Sequence, residues 1–131
     1  MVYAQKQQYD RAMAEGEQAI ALNPNNADSY VRHAEVLNWA SRPEEALRAL
    51  EQAMRLNPRY PSLYLVELGW AYRSTGRYTE AIATMKELIS RSPNFMSAHL
   101  NLAISYFLQW LSQQSPDAQT LERQWQRCNG P

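Results

Sequence analysis

The sequence predicts an all-α chain built from stacked antiparallel helix-turn-helix repeats. Two features carry that prediction: a motif register of 34 to 35 residues, and an apolar stripe at helical spacing in each half of the period. Asn23-Pro24 recurs as Asn57-Pro58, 34 residues on, and Ser92-Pro93 follows after 35. Tyr9, Pro43 and Tyr78 keep the same offsets, as do Ala12, Ala46 and Ala81. In the other half, Leu37, Tyr72 and Tyr106 are spaced 35 and 34, with the small residues Ala34, Gly69 and Ala103 in step. Several residue classes holding one register mark a repeat architecture, in which hairpins too short to bury their own apolar faces stack on their neighbours. The one extra residue falls in Arg59-Tyr60-Pro61-Ser62, where a turn can absorb it.

Residues 1–24 read as a partial repeat. Tyr3 falls where the end of a first helix is expected, so only a second helix, from about Tyr9 to Leu22, remains. Lacking a hairpin partner, it should leave Met13 and Ile20 partly uncovered, an opening for a homo-oligomer. A complete repeat is expected over 27–59. Ser29 to Trp39 carries Tyr30, His33, Ala34 and Leu37, the i, i+3, i+4, i+7 stripe of one buried face. Ser41 with Glu44 three residues on has the form of a capping box, and Glu44 to Leu56 continues the stripe through Leu47, Leu50, Ala53 and Met54. Pro58 stops that helix, because proline lacks the N–H that continuation needs.

The second complete repeat is expected over 62–95: a first helix from Ser62 to Ser74, a tight turn at Gly76, and a second helix from Tyr78 to Ser90. The recurrent small residues predict places where two helices approach too closely for a large side chain. Residues 96–131 read as a degenerate repeat. After Tyr106 the register is lost and Phe107-Leu108-Gln109-Trp110-Leu111 continues the helix. Ser115-Pro116 then opens a helix with Ala118, Leu121, Trp125 and Cys128 on one face, read as a closing cap. The cut first hairpin predicts that the chain is an excised piece of something longer.

Composition narrows the function classes. Thirteen Lys and Arg balance thirteen Asp and Glu, so no net charge draws in nucleic acid or an anionic membrane. No apolar run approaches the ~18–20 residues of a membrane span. Cys128, the single cysteine, rules out a disulfide framework and any cysteine-based zinc site. The start, Met1-Val2-Tyr3-Ala4-Gln5-Lys6, lacks a signal-peptide core; the compartment is not fixed, with the cytoplasm favoured. His33 and His99 have no second ligand at i+4, and the four glycines stand alone, so no metal, cofactor or phosphate loop is expected. The expectation is a protein that is not an enzyme.

Leu68-Gly69-x-x-Tyr72, then Gly76-x-Tyr78-x-x-Ala81 and a closing proline, with Leu102-Ala103-x-x-Tyr106 repeating the first half, resemble the tetratricopeptide repeat. That resemblance implies a right-handed superhelix whose first helices line a concave groove for another protein or a peptide. Gly16 departs from the family pattern, which places a large apolar residue there. The groove positions it implies are Asp28, Val31, Glu35, Asn38 and Trp39; Leu63, Val66, Trp70 and Arg73; and Ser97, Leu100, Ile104 and Phe107. Some members grip a peptide's terminal carboxylate with a Lys/Asn/Arg cluster. The corresponding line here, Arg32, Glu67 and Asn101 with Asp28 and Glu35 nearby, would repel one. An apolar or amphipathic segment fits better, with a basic residue near Glu35. Two other readings stand beside the interaction module. One is a regulatory repeat tail of a multidomain signalling enzyme such as a bacterial nucleotide cyclase; the other is a self-assembling array.

Overall fold

Helix boundaries follow the turn chemistry of each loop. The computed structural model describes residues 2–114 and 118–129 as seven helices: α1 (Val2–Leu22), α2 (Ala27–Trp39), α3 (Pro43–Leu56), α4 (Ser62–Ser74), α5 (Tyr78–Arg91), α6 (Met96–Gln114) and α7 (Ala118–Asn129). No strand occurs among the described residues. Asn26 caps α2, its side chain accepting the Asp28 N–H at 3.0 Å. Tyr30 Oη donates to the Pro24 carbonyl at 2.9 Å, tying the Asn-Pro turn to the helix it precedes. The equivalent residue in α6 is His99, whose Nε2 lies 2.8 Å from the Pro93 carbonyl. That histidine is thus a turn clasp, doing with a ring N–H what Tyr30 does with a hydroxyl.

Ser41 and Gly76, 35 residues apart in the register, both carry positive φ, 60° and 80°. In each turn the next N–H reaches back five residues, Arg42 to the Leu37 carbonyl at 2.8 Å and Arg77 to the Tyr72 carbonyl at 2.9 Å. This is the helix-ending bond that a left-handed residue makes available. The capping box expected at Ser41 and Glu44 is therefore corrected. Helix α3 starts at Pro43, whose fixed φ suits a first helical position, with Arg42 before it and no side-chain cap. Ser41 supplies the left-handed turn instead. The extra residue of the 59–62 turn is held from α5: Arg91 donates to the Tyr60 carbonyl at 2.9 Å and lies over the Tyr60 ring.

Consecutive helices pack as antiparallel neighbours from α1 to α6 in a right-handed superhelix, and the first helices also touch each other, α2 against α4 and α4 against α6. Val31, Ala34, Leu37, Ala46, Leu47, Leu50, Ala53, Tyr64, Leu68 and Ala71 form one core, and Leu65, Met85, Leu88 and Ala98 a second. Each fully buried Leu or Val contributes about 1.5–3 kcal/mol. Ala34, Ala46, Ala53 and Ala81 have no exposed surface, and a Cβ at Gly69 would collide with the end of the Met85 side chain. Close helix approach accounts for the small residues at these positions.

Helix α1 is continuous from Val2, so Tyr3 does not end a separate helix. Tyr3-Ala4-Gln5-Lys6-Gln7-Gln8 contains no glycine or proline to break it, unlike the turns at Ser41-Arg42-Pro43 and Gly76. Gly16 makes room for His33: a Cβ there would stand 2.6 Å from His33 Nδ1. Helix α6 has 19 residues against 13 in α2 and α4. The closing role expected of α7 falls largely on side chains, those of 118–122 and 124, that lie outside the described residues. Ala103 and Tyr106 are exposed, although their equivalents Ala34 and Leu37 are buried under α3. Ser115-Pro116, where that cap was expected to open, lies outside the described residues.

Candidate functional site

The shared face of α2, α4 and α6 is built from the register positions that point away from the second helices. At its centre a cleft of about 210 Å³ opens between α4 and α6. Its walls are Val66, Trp70 and Arg73 on one side and Leu100, Asn101 and Ile104 on the other, with Phe95 and Ser97 beside them. Met85, Leu88 and Ala98, all buried, lie beneath. Trp70 is half-buried and meets Trp39 in a T-shaped contact, ring centroids 5.0 Å apart at an interplanar angle of 84°. Trp39 itself is 58% exposed. The pair forms an aromatic ridge that begins in the cleft and extends over the end of α2. A larger cleft, about 390 Å³, lies between α1 and the 40–42 turn. Exposed polar side chains including Lys6, Asp10, Ser41 and Arg42 line much of it.

Six of the expected groove residues, Val66, Trp70, Arg73, Ser97, Leu100 and Ile104, meet in this one cleft, and Trp39 joins it through Trp70. Leu63 lies on the same helix outside it. Phe107, 57% exposed, stacks on Trp110 at 6.2 Å further along α6. Glu35 is half-exposed and pairs with Arg32 at 3.3 Å. Val31 and Asn38 are corrections: at 2% and 5% exposure they offer a partner almost no surface. Helix α4 leans on α2 along that row, and Val31 enters the core beneath it. Asn38 Nδ2 donates to the Glu67 carbonyl at 3.1 Å and to Glu67 Oε2 at 2.9 Å, joining the two helices.

The charges at this face are unequal in their pairing. Burial pushes the Glu67 carboxyl above its usual range, against the pull of the Asn38 hydrogen bond; Glu35 adds to the rise and Arg32 opposes it. Arg73 is half-buried, and loss of water lowers its guanidinium below the ordinary value while leaving it a cation. It donates one long hydrogen bond, 3.4 Å, to Asn101 Oδ1, which also accepts from Ser105 Oγ at 3.1 Å. Among the described residues no carboxylate reaches it within 4.0 Å.

A tetratricopeptide repeat model matches residues 25–94, and a second model of the same family matches 1–26. The chain belongs to the tetratricopeptide repeat family. No curated protein matches it in sequence. Among solved structures, it is similar to the first TPR domain of human RPAP3, with a TM-score of 0.75 at 18% identity over 87% of this chain and 89% of that one. The second TPR domain of human RPAP3, solved with an HSP70 peptide, gives 0.68 at 23% over 79% and 86%. The first TPR of Spaghetti (RPAP3), bound to an HSP90 peptide, gives 0.71 at 20% over 84% and 85%.

Within this tetratricopeptide repeat face, Asn101 and Glu67 matter in ways the repeat pattern hid. Both fall on the line that corresponds to the carboxylate-gripping cluster of some members. Glu67 is instead turned into the α2–α4 contact, and Asn101 fixes Arg73. Phe95 stands in a loop, where no helical periodicity reports a wall residue. The apolar residue directly before the first turn of α6 was its one available signal.

Proposed function

We propose that this chain is a non-catalytic scaffold that holds another protein by docking an apolar or amphipathic segment in the concave groove around Trp70. The observation that carries the reading is the convergence of Val66, Trp70, Leu100 and Ile104 on one cleft beside an exposed tryptophan ridge. Monomers rarely leave such clusters open without use, and a tryptophan held on a rigid helix suits an anchoring contact. Leu100 is 57% exposed, so an incoming side chain would cover apolar surface that now faces water. The peptides carried by the RPAP3 relatives are consistent with a segment-binding role for this fold. No nucleic acid is expected as a partner, since acids and bases balance.

The four tryptophans give a direct test. A peptide selected on the chain from a random library should shift the indole N–H signals of Trp39 and Trp70. Shifts confined to Trp110 or Trp125 would move the binding surface off the groove and end this reading.

A further inference from the structure

Among the described residues, Arg73 is the one basic residue in the wall of the α4–α6 cleft. A guanidinium carries five donors, and here the hydrogen bonds among described residues use one of them, at 3.4 Å. Half-buried charges are ordinarily paired, because removing a cation from water without a counter-charge is costly. Arg32, Arg42 and Arg91 each have a carboxylate within 4.0 Å; Arg73, more deeply set than these exposed arginines, has none among the described residues. Glu67, the nearest acid on its own helix, is held by Asn38 on the opposite side. Besides Asn101 and Ser97, the cleft that holds the guanidinium is lined by apolar residues, among them Val66, Trp70, Leu100 and Ile104.

Building on the groove reading above, we propose that Arg73, positioned by Asn101, receives an internal Asp or Glu side chain of the partner segment, set beside an apolar residue that enters the cleft. Charge complementarity selects an acid, since a carboxylate accepts two guanidinium N–H groups at once. The surface selects an internal one. Exposed apolar surface continues on both sides of Arg73, at Trp39 toward α2 and at Ile104 and Phe107 on α6. A chain can therefore run through the site rather than end in it. A terminal carboxylate gripped from several sides would need further cations, and among the described residues lining the cleft Arg73 has no basic neighbour. At the other end of the groove Glu35, partly offset by Arg32, disfavours a second acid and orients the segment.

The test is peptide selection on the intact chain and on Arg73→Met, which keeps length and apolar character. Arg73→Lys serves as a charge-retaining variant, and melting curves establish that both fold. Peptides selected on the wild type should be enriched in Asp or Glu next to an apolar residue; those selected on Arg73→Met should keep the apolar residue and lose the acid. For one resynthesised peptide, changing its acid to the amide should weaken wild-type binding about tenfold or more and Arg73→Met binding hardly at all. Amidating its C-terminus should leave the affinity unchanged. Acid enrichment that survives Arg73→Met, or its absence on the wild type, overturns the proposal while the apolar groove stands. An affinity that depends on a free C-terminus overturns the internal acid. Failure to select any peptide on the folded chain overturns the groove reading and this inference with it.

Discussion

Ser41 and Gly76 occupy equivalent turns with nearly equal dihedrals, φ 60° and 80°, yet only one of them is glycine. A side chain in the left-handed region costs roughly 1–2 kcal/mol from the clash of Cβ with the backbone. Glycine recovers that cost but adds about 0.5–1 kcal/mol of unfolded-state entropy. Ser41→Gly should therefore stabilise the chain by about 0.5–1 kcal/mol, worth ~2–3 °C in melting temperature for a domain of this size. The exposed Ser41 side chain offers little to lose. The reciprocal Gly76→Ser should destabilise by a similar amount. No atom lies within 4 Å of the Cβ it would add, so its cost would be purely conformational. Urea and thermal unfolding of both variants measures the pair. Loss of stability in Ser41→Gly, or a neutral Gly76→Ser, would refute the shared left-handed turn.

Other expectations follow from the packing and the charges. Ala46→Leu or Ala81→Leu inserts bulk where no surface is exposed and should cost about 1–3 kcal/mol in melting experiments; no loss would mean these positions do not face a helix. Glu67, with its folded pKa raised by burial, favours folding below the ordinary glutamate pKa. That contribution is lost as pH rises from the ordinary value through the raised one. Glu67→Gln should thus gain stability relative to wild type near pH 7 and lose the advantage near pH 4; a difference that stays flat across that range contradicts the assignment. Helix α1 keeps Met13 and Ile20 only half-covered, so self-association at high concentration is expected, and light scattering of a strict monomer would rule it out.

Spacing made the stack legible, and single residues within it less so. Ala34, Ala46 and Ala81 announced close helix contacts because the same small residue recurs at one offset, and each is fully buried. Val31 and Asn38 differ from the groove expectation because of packing beyond their own helix. A helical wheel gives the direction of a side chain from its own axis, but not how far the next first helix leans over it. That lean comes from the superhelical packing of α4 on α2, which no local pattern encodes. Ser41 shows two local signals in competition: a serine three residues before a glutamate suggests a cap, yet Pro43 takes the first helical position and displaces Ser41 into the turn. The importance of Asn101 depended on a contact with Arg73 across 28 residues, invisible until the two helices were side by side.

The claim that a partner segment is anchored in the groove by Trp70 is tested most directly by measuring affinity and unfolding free energy together in Trp70→Ala, with a peptide selected on the wild type. Trp70 is half-buried and leans on Trp39 rather than filling a core, so truncation should remove an anchoring contact of ~2 kcal/mol or more, about a thirtyfold loss of affinity, with the melting temperature largely kept. A drop of about 3–5 kcal/mol in stability, with the folded fraction binding the peptide as tightly as before, would show that Trp70 belongs to the stack and contradict the groove.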